Sequence, residues 1–129
     1  MNVTREDVLS LSGRELDAAV AERVLGWKRG DLRCGDMPWY PPGTGRYLGG
    51  GRMDLPEFST DISAAWEVVE HLATPDEALT ITYAKGTWVV AVGSVEVSAT
   101  SESAPEAICR AALLAALKRS EAKNGGGGA

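Results

Sequence analysis

The residues best equipped for chemistry crowd into one stretch. Positions 27–58 read WKRGDLRCGDMPWYPPGTGRYLGGGRMDLPEF and hold seven Gly and four Pro, together with Trp27, Trp39, Tyr40 and Tyr47. Gly43-Thr44-Gly45-Arg46 and Gly49-Gly50-Gly51-Arg52 each set flexible backbone amides beside a guanidinium. Backbone nests and guanidinium forks are what a phosphate needs, and Trp39, Tyr40 and Tyr47 offer faces on which a base can stack. Neither glycine run is a Walker or Rossmann motif, because no strand precedes it and no helix follows. The plain alternative is that these are ordinary glycine turns and that aromatics pin the stretch to the domain, a task that suits Trp27 and Trp66 at the helix edges. Ser59-Thr60-Asp61 likewise has two uses: capping the helix that follows, or holding an anion or ribose in the field of its N-terminus. The candidate ligand-binding set is Trp27, Lys28, Arg33, Trp39, Tyr40, Arg46, Tyr47, Arg52, Ser59, Thr60 and Asp61.

Other chemistries find less support. Structural zinc needs four nitrogen or sulfur ligands, and the chain has Cys34, Cys109 and His71, with no C-x-x-C and no second histidine. A thiol enzyme needs its cysteine and a base to meet. Cys34 next to Arg33 is the better nucleophile, His71 is the one histidine to serve it, and Cys109 sits in an apolar helical stretch that reads as core. No spacing of carboxylates points to a hydrolase. No catalytic residue, metal ligand or cofactor is assigned, and the protein reads as non-enzymatic, with a nucleotide- or thiol-directed enzyme as the minor alternative.

Charge narrows the ligand. The chain carries a formal charge of −5, which argues against a long nucleic acid, since that partner needs a basic face. The distribution is uneven. Within 27–58, Lys28, Arg29, Arg33, Arg46 and Arg52 stand against Asp31, Asp36, Asp54 and Glu57, a balance of +1; the remainder has eight basic and fourteen acidic residues, a balance of −6. Such concentration suits a small anionic ligand. No apolar run is long enough to span a bilayer, and Met1–Ser10 lacks the apolar core of a signal peptide. A cytoplasmic protein with two free thiols is expected.

The elements that must position these residues are legible from their periods. Thr4 with Asp7, and Ser12 with Glu15, have capping spacing, after which Leu16, Ala19, Val20 and Val24 follow a helical repeat that Gly26 can end in a left-handed conformation. Arg14 and Asp17 are spaced to pair on that helix. A second helix begins near Ser59-Thr60-Asp61, its stripe Ile62, Ala65, Trp66, Val69 and Leu72. Leu79–Tyr83, Thr87–Val92 and Val95–Ala99 alternate apolar and polar residues across the short turns Lys85-Gly86 and Gly93-Ser94, which makes an antiparallel meander. Ser103-Ala104-Pro105-Glu106 opens a last helix with capping-box spacing, whose buried side is Ala107, Ile108, Ala111, Leu114, Ala115 and Leu117, and on which Arg110 calls for a carboxylate partner. Residues 1–123 form one domain and 124–129 a flexible Gly-rich tail. Three main helices around a meander make an α+β fold. The stretch 27–58 is left as a loop without period, longer than structureless loops in compact domains usually are and too aromatic for ordinary disorder.

Three blocks carry a resemblance. Gly13-Arg14-Glu15-Leu16-Asp17 with Val20-Ala21-Glu22 and Gly26-Trp27, then Phe58-Ser59-Thr60-Asp61-Ile62 with Ala65-Trp66, then Ala104-Pro105 with Ala107-Ile108-Cys109-Arg110-Ala111, together resemble the phage ABA sandwich domain family. The resemblance implies an α-β-α layered domain in a small phage or prophage protein acting in the cytoplasm of an infected or lysogenic bacterial host. It implies no reaction, and it assigns nothing to residues 28–57. The expected function is a homo-oligomeric binding protein that sequesters a small nucleotide immune signal to counter host defence; the alternative is a module that docks on a host protein through the 27–58 loop.

Overall fold

The computed structural model describes residues 4–126. The fold is α+β, with four helices and two small antiparallel sheets among the described residues. The N-terminal stretch divides at Leu11-Ser12 into α1 (Arg5–Ser10) and α2 (Gly13–Arg23). The capping box at α1 forms as expected: Thr4 Oγ1 accepts from the Asp7 amide at 3.1 Å, and Asp7 Oδ2 accepts from the Thr4 amide at 2.9 Å. The expected box at Ser12 does not form. Ser12 makes no side-chain cap bond, and Gly13 takes a φ of +55°, which turns the chain so that Ser12 Oγ and Glu15 do not reciprocate.

Gly26 (φ +76°) closes α2 as expected, folding the chain back so that the Trp27 amide donates to Ala21 O at 2.8 Å. The segment Lys28–Arg29 (β1) pairs antiparallel with Trp39–Tyr40 (β2), around a 3-10 turn at Leu32–Cys34. Asp61 then caps α3 (Ile62–Leu72) by accepting from the Ser63 amide at 2.9 Å. The buried face of α3 is Ala65, Val68, Val69 and Leu72. Ile62 and Trp66, assigned to the apolar stripe, instead stand about half exposed: Val68 occupies the inward position, and the i, i+3, i+4 geometry of the helix carries Trp66 round to solvent.

The meander is β3 (Leu79–Ala84), β4 (Thr87–Val92) and β5 (Val97–Ser101), in the order β3-β4-β5. Registers such as Ile81↔Val90↔Ala99 and Leu79↔Val92↔Val97 put one apolar face inward. Val95 falls in a 3-10 turn (Gly93–Val95), so the third strand starts two residues later than the alternation suggests. The last helix, α4 (Ala104–Gly126), packs on β4 and β5 with one side and on α1, α2 and α3 with the other. Its run of Ala107, Cys109, Ala111, Ala112 and Ala115, all buried, permits that close approach on two sides. Glu106 does not complete a box with Ser103; it accepts from Ser101 Oγ at 3.0 Å and pairs with Arg110 at 2.7 Å. Arg110 thereby has its expected carboxylate, and its Nη2 also donates to Leu11 O at 3.1 Å. α4 runs through Asn124-Gly125-Gly126, into the stretch expected as tail; residues 127–129 lie outside the described residues.

Candidate functional site

The stretch 27–58 is a folded part of the domain with a small core of its own. Trp27, Trp39, Tyr40, Leu55 and Phe58 are buried. Trp27 meets Trp39 and Phe58 edge to face, with ring centroids 6.4 and 6.3 Å apart, the arrangement that the ring quadrupoles favour. Trp39 is the hub of the backbone as well. It pairs with Arg29 on one side and exchanges two backbone bonds with Arg52 on the other, at 3.2 and 2.8 Å. This turns an aperiodic sequence into a short three-segment ribbon. Two glycines make the close approaches possible: a Cβ on Gly30 would lie 1.8 Å from Met37 O, and one on Gly51 would lie 2.7 Å from Tyr40 Cε1.

The end of the stretch is tied to α2 by a buried polar node. Asp17, almost wholly buried, accepts from Arg14 Nη1 at 2.9 Å and from the Ser59 amide at 2.7 Å. Arg14 Nη2 donates to Leu55 O at 2.7 Å, and Ser59 Oγ to Gly13 O at 3.2 Å. Buried polar groups satisfied from several sides fix one arrangement, so the Arg14–Asp17 pair expected on the helix also sets where the ribbon ends.

The cations are largely engaged. Arg29 pairs with Glu22 and lies 4.7 Å over the Trp39 ring. Arg33 pairs with Asp31 at 3.5 Å. Arg46 Nε faces Asp36 Oδ1 at 3.1 Å, outside hydrogen-bond geometry, while its Nη2 donates to Cys34 O at 2.7 Å. Arg52 lies 5.6 Å over the Trp27 ring. The glycine runs are also bonded within the chain. The amides of Thr44, Gly45, Gly49 and Arg52 donate to the carbonyls of Pro41, Gly49, Gly45 and Trp39.

The expected site residues therefore separate. Trp39 and Tyr40 do not present the open stacking faces expected of them; they are buried, Trp39 edge to face against Trp27 and Tyr40 with its hydroxyl accepting from the Met37 amide at 3.0 Å. Trp27 pins the ribbon as the plain reading had it, while Trp66 does not share that task. Ser59 is buried in the Asp17 node, Asp61 caps α3, and Thr60 is exposed. What remains at the surface is Lys28, Arg33, Arg46, Arg52 and above all Tyr47, which is 92 % exposed.

Three residues that the sequence reading passed over join Tyr47 outside. Leu32, Leu48 and Met53 are 67 %, 79 % and 67 % exposed. Arg46, Tyr47 and Leu48 form the tip of a hairpin closed by the Gly45↔Gly49 bridge, and Arg46 ties that tip to the 3-10 turn carrying Leu32. The available signal was apolar residues set singly among Gly and Arg, with no period to bury them.

The model of the phage ABA sandwich domain matches residues 18–113. The chain belongs to the phage ABA sandwich domain family. The matched range takes in the whole of 27–58. A phage protein from Bacillus cereus ATCC 14579, known from a crystal structure at 2.0 Å, is 28% identical and superposes with a TM-score of 0.53 over 81% of this chain and 91% of that chain. No curated protein matches. The family relation and this neighbour place the chain among phage-type proteins. They leave the ribbon's surface without a role.

Elsewhere the chemistry is quiet. Cys109 is buried, and burial, with the charges of Asp17 and Glu106 behind it, pushes its thiol far above the ordinary range. Cys34 is an exposed free thiol with Asp31 Oδ2 3.5 Å away, and His71 is exposed on α3. Among the described residues no group of three or more His, Cys, Asp or Glu is arranged to hold a metal, and no helix is long and apolar enough to cross a membrane. Two shallow surface depressions, of about 370 and 380 Å³, lie outside the ribbon, at Ile62-Ser63-Trp66 and between Ser94–Glu96 and Lys118-Arg119.

Proposed function

We propose that this phage-type protein is a non-enzymatic interaction module whose 27–58 ribbon docks on a host protein. The observation that carries this reading is that Leu32, Tyr47, Leu48 and Met53, four large apolar side chains on one folded ribbon, are each at least two-thirds exposed. Large apolar side chains held out on an ordered segment are what a docking partner can cover, and aromatic and arginine residues dominate binding hot spots. The scaffold beneath them is already ordered by the Trp27–Trp39–Phe58 cluster and the arginine pairs, which lowers the entropy lost on binding.

Sequestration of a small nucleotide signal is the second reading. It is favoured by one observation, the open ring of Tyr47 with the Arg46 guanidinium 5.8 Å from its centre, which could stack a base beside a phosphate. The pairing of the arginines and the use of four amides inside the ribbon set it behind the docking reading. The two separate in one set of measurements. Capture of a defined host protein by the wild type, lost with Leu48→Asp and with Tyr47→Ala, supports docking. Stoichiometric heat on titration with cyclic dinucleotides or ADP-ribose derivatives, with no protein captured, overturns docking in favour of sequestration.

A further inference from the structure

We infer that the free edge of β3 pairs antiparallel with the same edge of a second copy, so that the two meanders join into one continuous sheet. β3 is an edge strand, with β4 along one side. The Gly93 amide donates to Ala78 O at 2.7 Å at one end of the pair, and the two-residue turn Lys85-Gly86 closes the other end at Ala84↔Thr87. Bonded pairs alternate along an antiparallel ladder, so Thr80, Thr82 and Ala84 bond to β4. Leu79, Ile81 and Tyr83 turn their N–H and C=O groups outward, where these groups have no partner among the described residues. Edge strands that stay solitary carry charge, proline or a bulge. β3 reads LTITYA, runs in unbroken register with β4 and has none of these guards.

The outward groups select the occupant. A two-fold axis at Ile81, perpendicular to the sheet, sets Ile81 against Ile81 and Leu79 of each copy against Tyr83 of the other. All of these are pairs of the bonded kind, so every outward group on both edges finds a partner. The same register matches the side chains. On the inner face Leu79 and Ile81 are half-buried and Tyr83, tilted on Trp88, is 56 % exposed, because α4 packs on β4 and β5 and leaves β3 uncovered. On the outer face Thr80 meets Thr82, a favourable cross-strand pair. Charge separates this edge from the sheet's other edge. β5 is bracketed by exposed Glu96 and Glu102, which the same operation at Ala99 would bring together as like charges. β3 is bracketed by Asp76 and Glu77 at one end and Lys85 at the other; Arg119 engages Glu77 at 2.8 Å, and exposed Asp76 is left to face Lys85 of the second copy. Lys118 stands beside Glu96. In the joined sheet Glu96 of one copy and Glu102 of the other end more than four strand spacings apart, roughly 20 Å, where salt screens them. The inference is independent of what the 27–58 ribbon binds.

One strand pair is a small interface, so a concentration-dependent dimer is expected. Sedimentation velocity of the full chain between about 1 μM and 1 mM tests it. Thr80 and Thr82 are exposed, so charges placed there should leave the circular dichroism unchanged. Thr80→Lys combined with Thr82→Lys sets like charges opposite each other on both sides of the axis, and should raise the dimer's dissociation constant roughly tenfold or more. Thr80→Lys combined with Thr82→Glu sets opposite charges in the same places and should restore the dimer. A chain monomeric throughout the series, a dimer indifferent to the lysine pair, a dimer dissolved by Leu48→Asp, or assembly that grows past the dimer, as head-to-tail addition of β3 to β5 would give, overturns the inference.

Discussion

The ribbon and the meander reach order by opposite routes. The meander is regular: three strands with continuous registers and a face of alternate apolar residues set on α4. The ribbon has two-residue strands and isolated bridges, and its order comes from side chains, namely the Trp27–Trp39–Phe58 cluster, the Asp17 node and the arginine pairs. Periodic backbone pairing leaves the outer residues of a strand free but constrains them to one flat face. Side-chain scaffolding leaves a surface that can take any shape, and it is on this surface that Tyr47 and Leu48 stand clear of the domain.

The sharpest way to break this contrast is Trp27→Ala. Loss of a buried aromatic costs about 3–5 kcal/mol, and because Trp27 touches both Trp39 and Phe58, the whole domain should lose that stability in a single urea transition. A ribbon that melted alone, leaving the midpoint of the far-ultraviolet transition unchanged, would show it to be a mere insertion. Asp17→Ala should cost about 3 kcal/mol, since it strips a buried partner from the Ser59 amide and from Arg14; chemical denaturation read against Trp27→Ala would tell whether the node and the aromatic cluster act together. Gly30→Ala should cost about 1–3 kcal/mol through overpacking, because its Cβ would press on Met37 O, a backbone atom that cannot swing aside. The equivalent glycine at the meander's turn, Gly86, has open space around the added Cβ but a φ of +80°, so Gly86→Ala probes strain alone.

The smallest effect should come from acid. Glu77 anchors the meander's Ser94 turn to α4, and the Ser94 hydroxyl and amide, with Arg119 and the Ala78 amide, hold its carboxyl below the ordinary value of 4.5. A depressed carboxyl stabilises the fold fully above its unfolded value and loses that contribution as pH falls through the folded value. Thermal melts of wild type and Glu77→Gln should differ most at neutral pH and converge as pH falls below 4.5 and through the lowered folded value. A constant gap across that window would remove Glu77's charge from the account.

The two regions also differed in how far they could be read in advance. The meander, the Thr4 cap, Gly26, the Asp61 cap and the Arg110 carboxylate all follow from local rules of period and capping, and all are present. Ser12 and Ser103 have the same capping spacing and do not use it, because a left-handed Gly13 and the competing Arg110–Glu106 pair decide otherwise. In the ribbon, residue types announced binding but not which of them would be inside. Trp39 and Tyr40 went to the core; Leu32, Leu48 and Met53 went out. Burial there depends on partners far along the chain, such as Arg14 with Leu55 O and Asp17 with the Ser59 amide, and no local period records them.

The sequence alone determined the α+β class, the order of its main elements, the family blocks at 13–27, 58–66 and 104–111, and the concentration of aromatics, glycines and arginines in 27–58. These are properties of neighbours a few residues apart, where helical and strand periods act. Only the tertiary structure decided that 27–58 is a scaffolded ribbon, that its arginines are held by carboxylates and rings, and that Tyr47, Leu48, Leu32 and Met53 form its outer surface. The physical reason is that an aperiodic segment is ordered by contacts across tens of residues, so its inside and outside exist only once the chain has closed on itself.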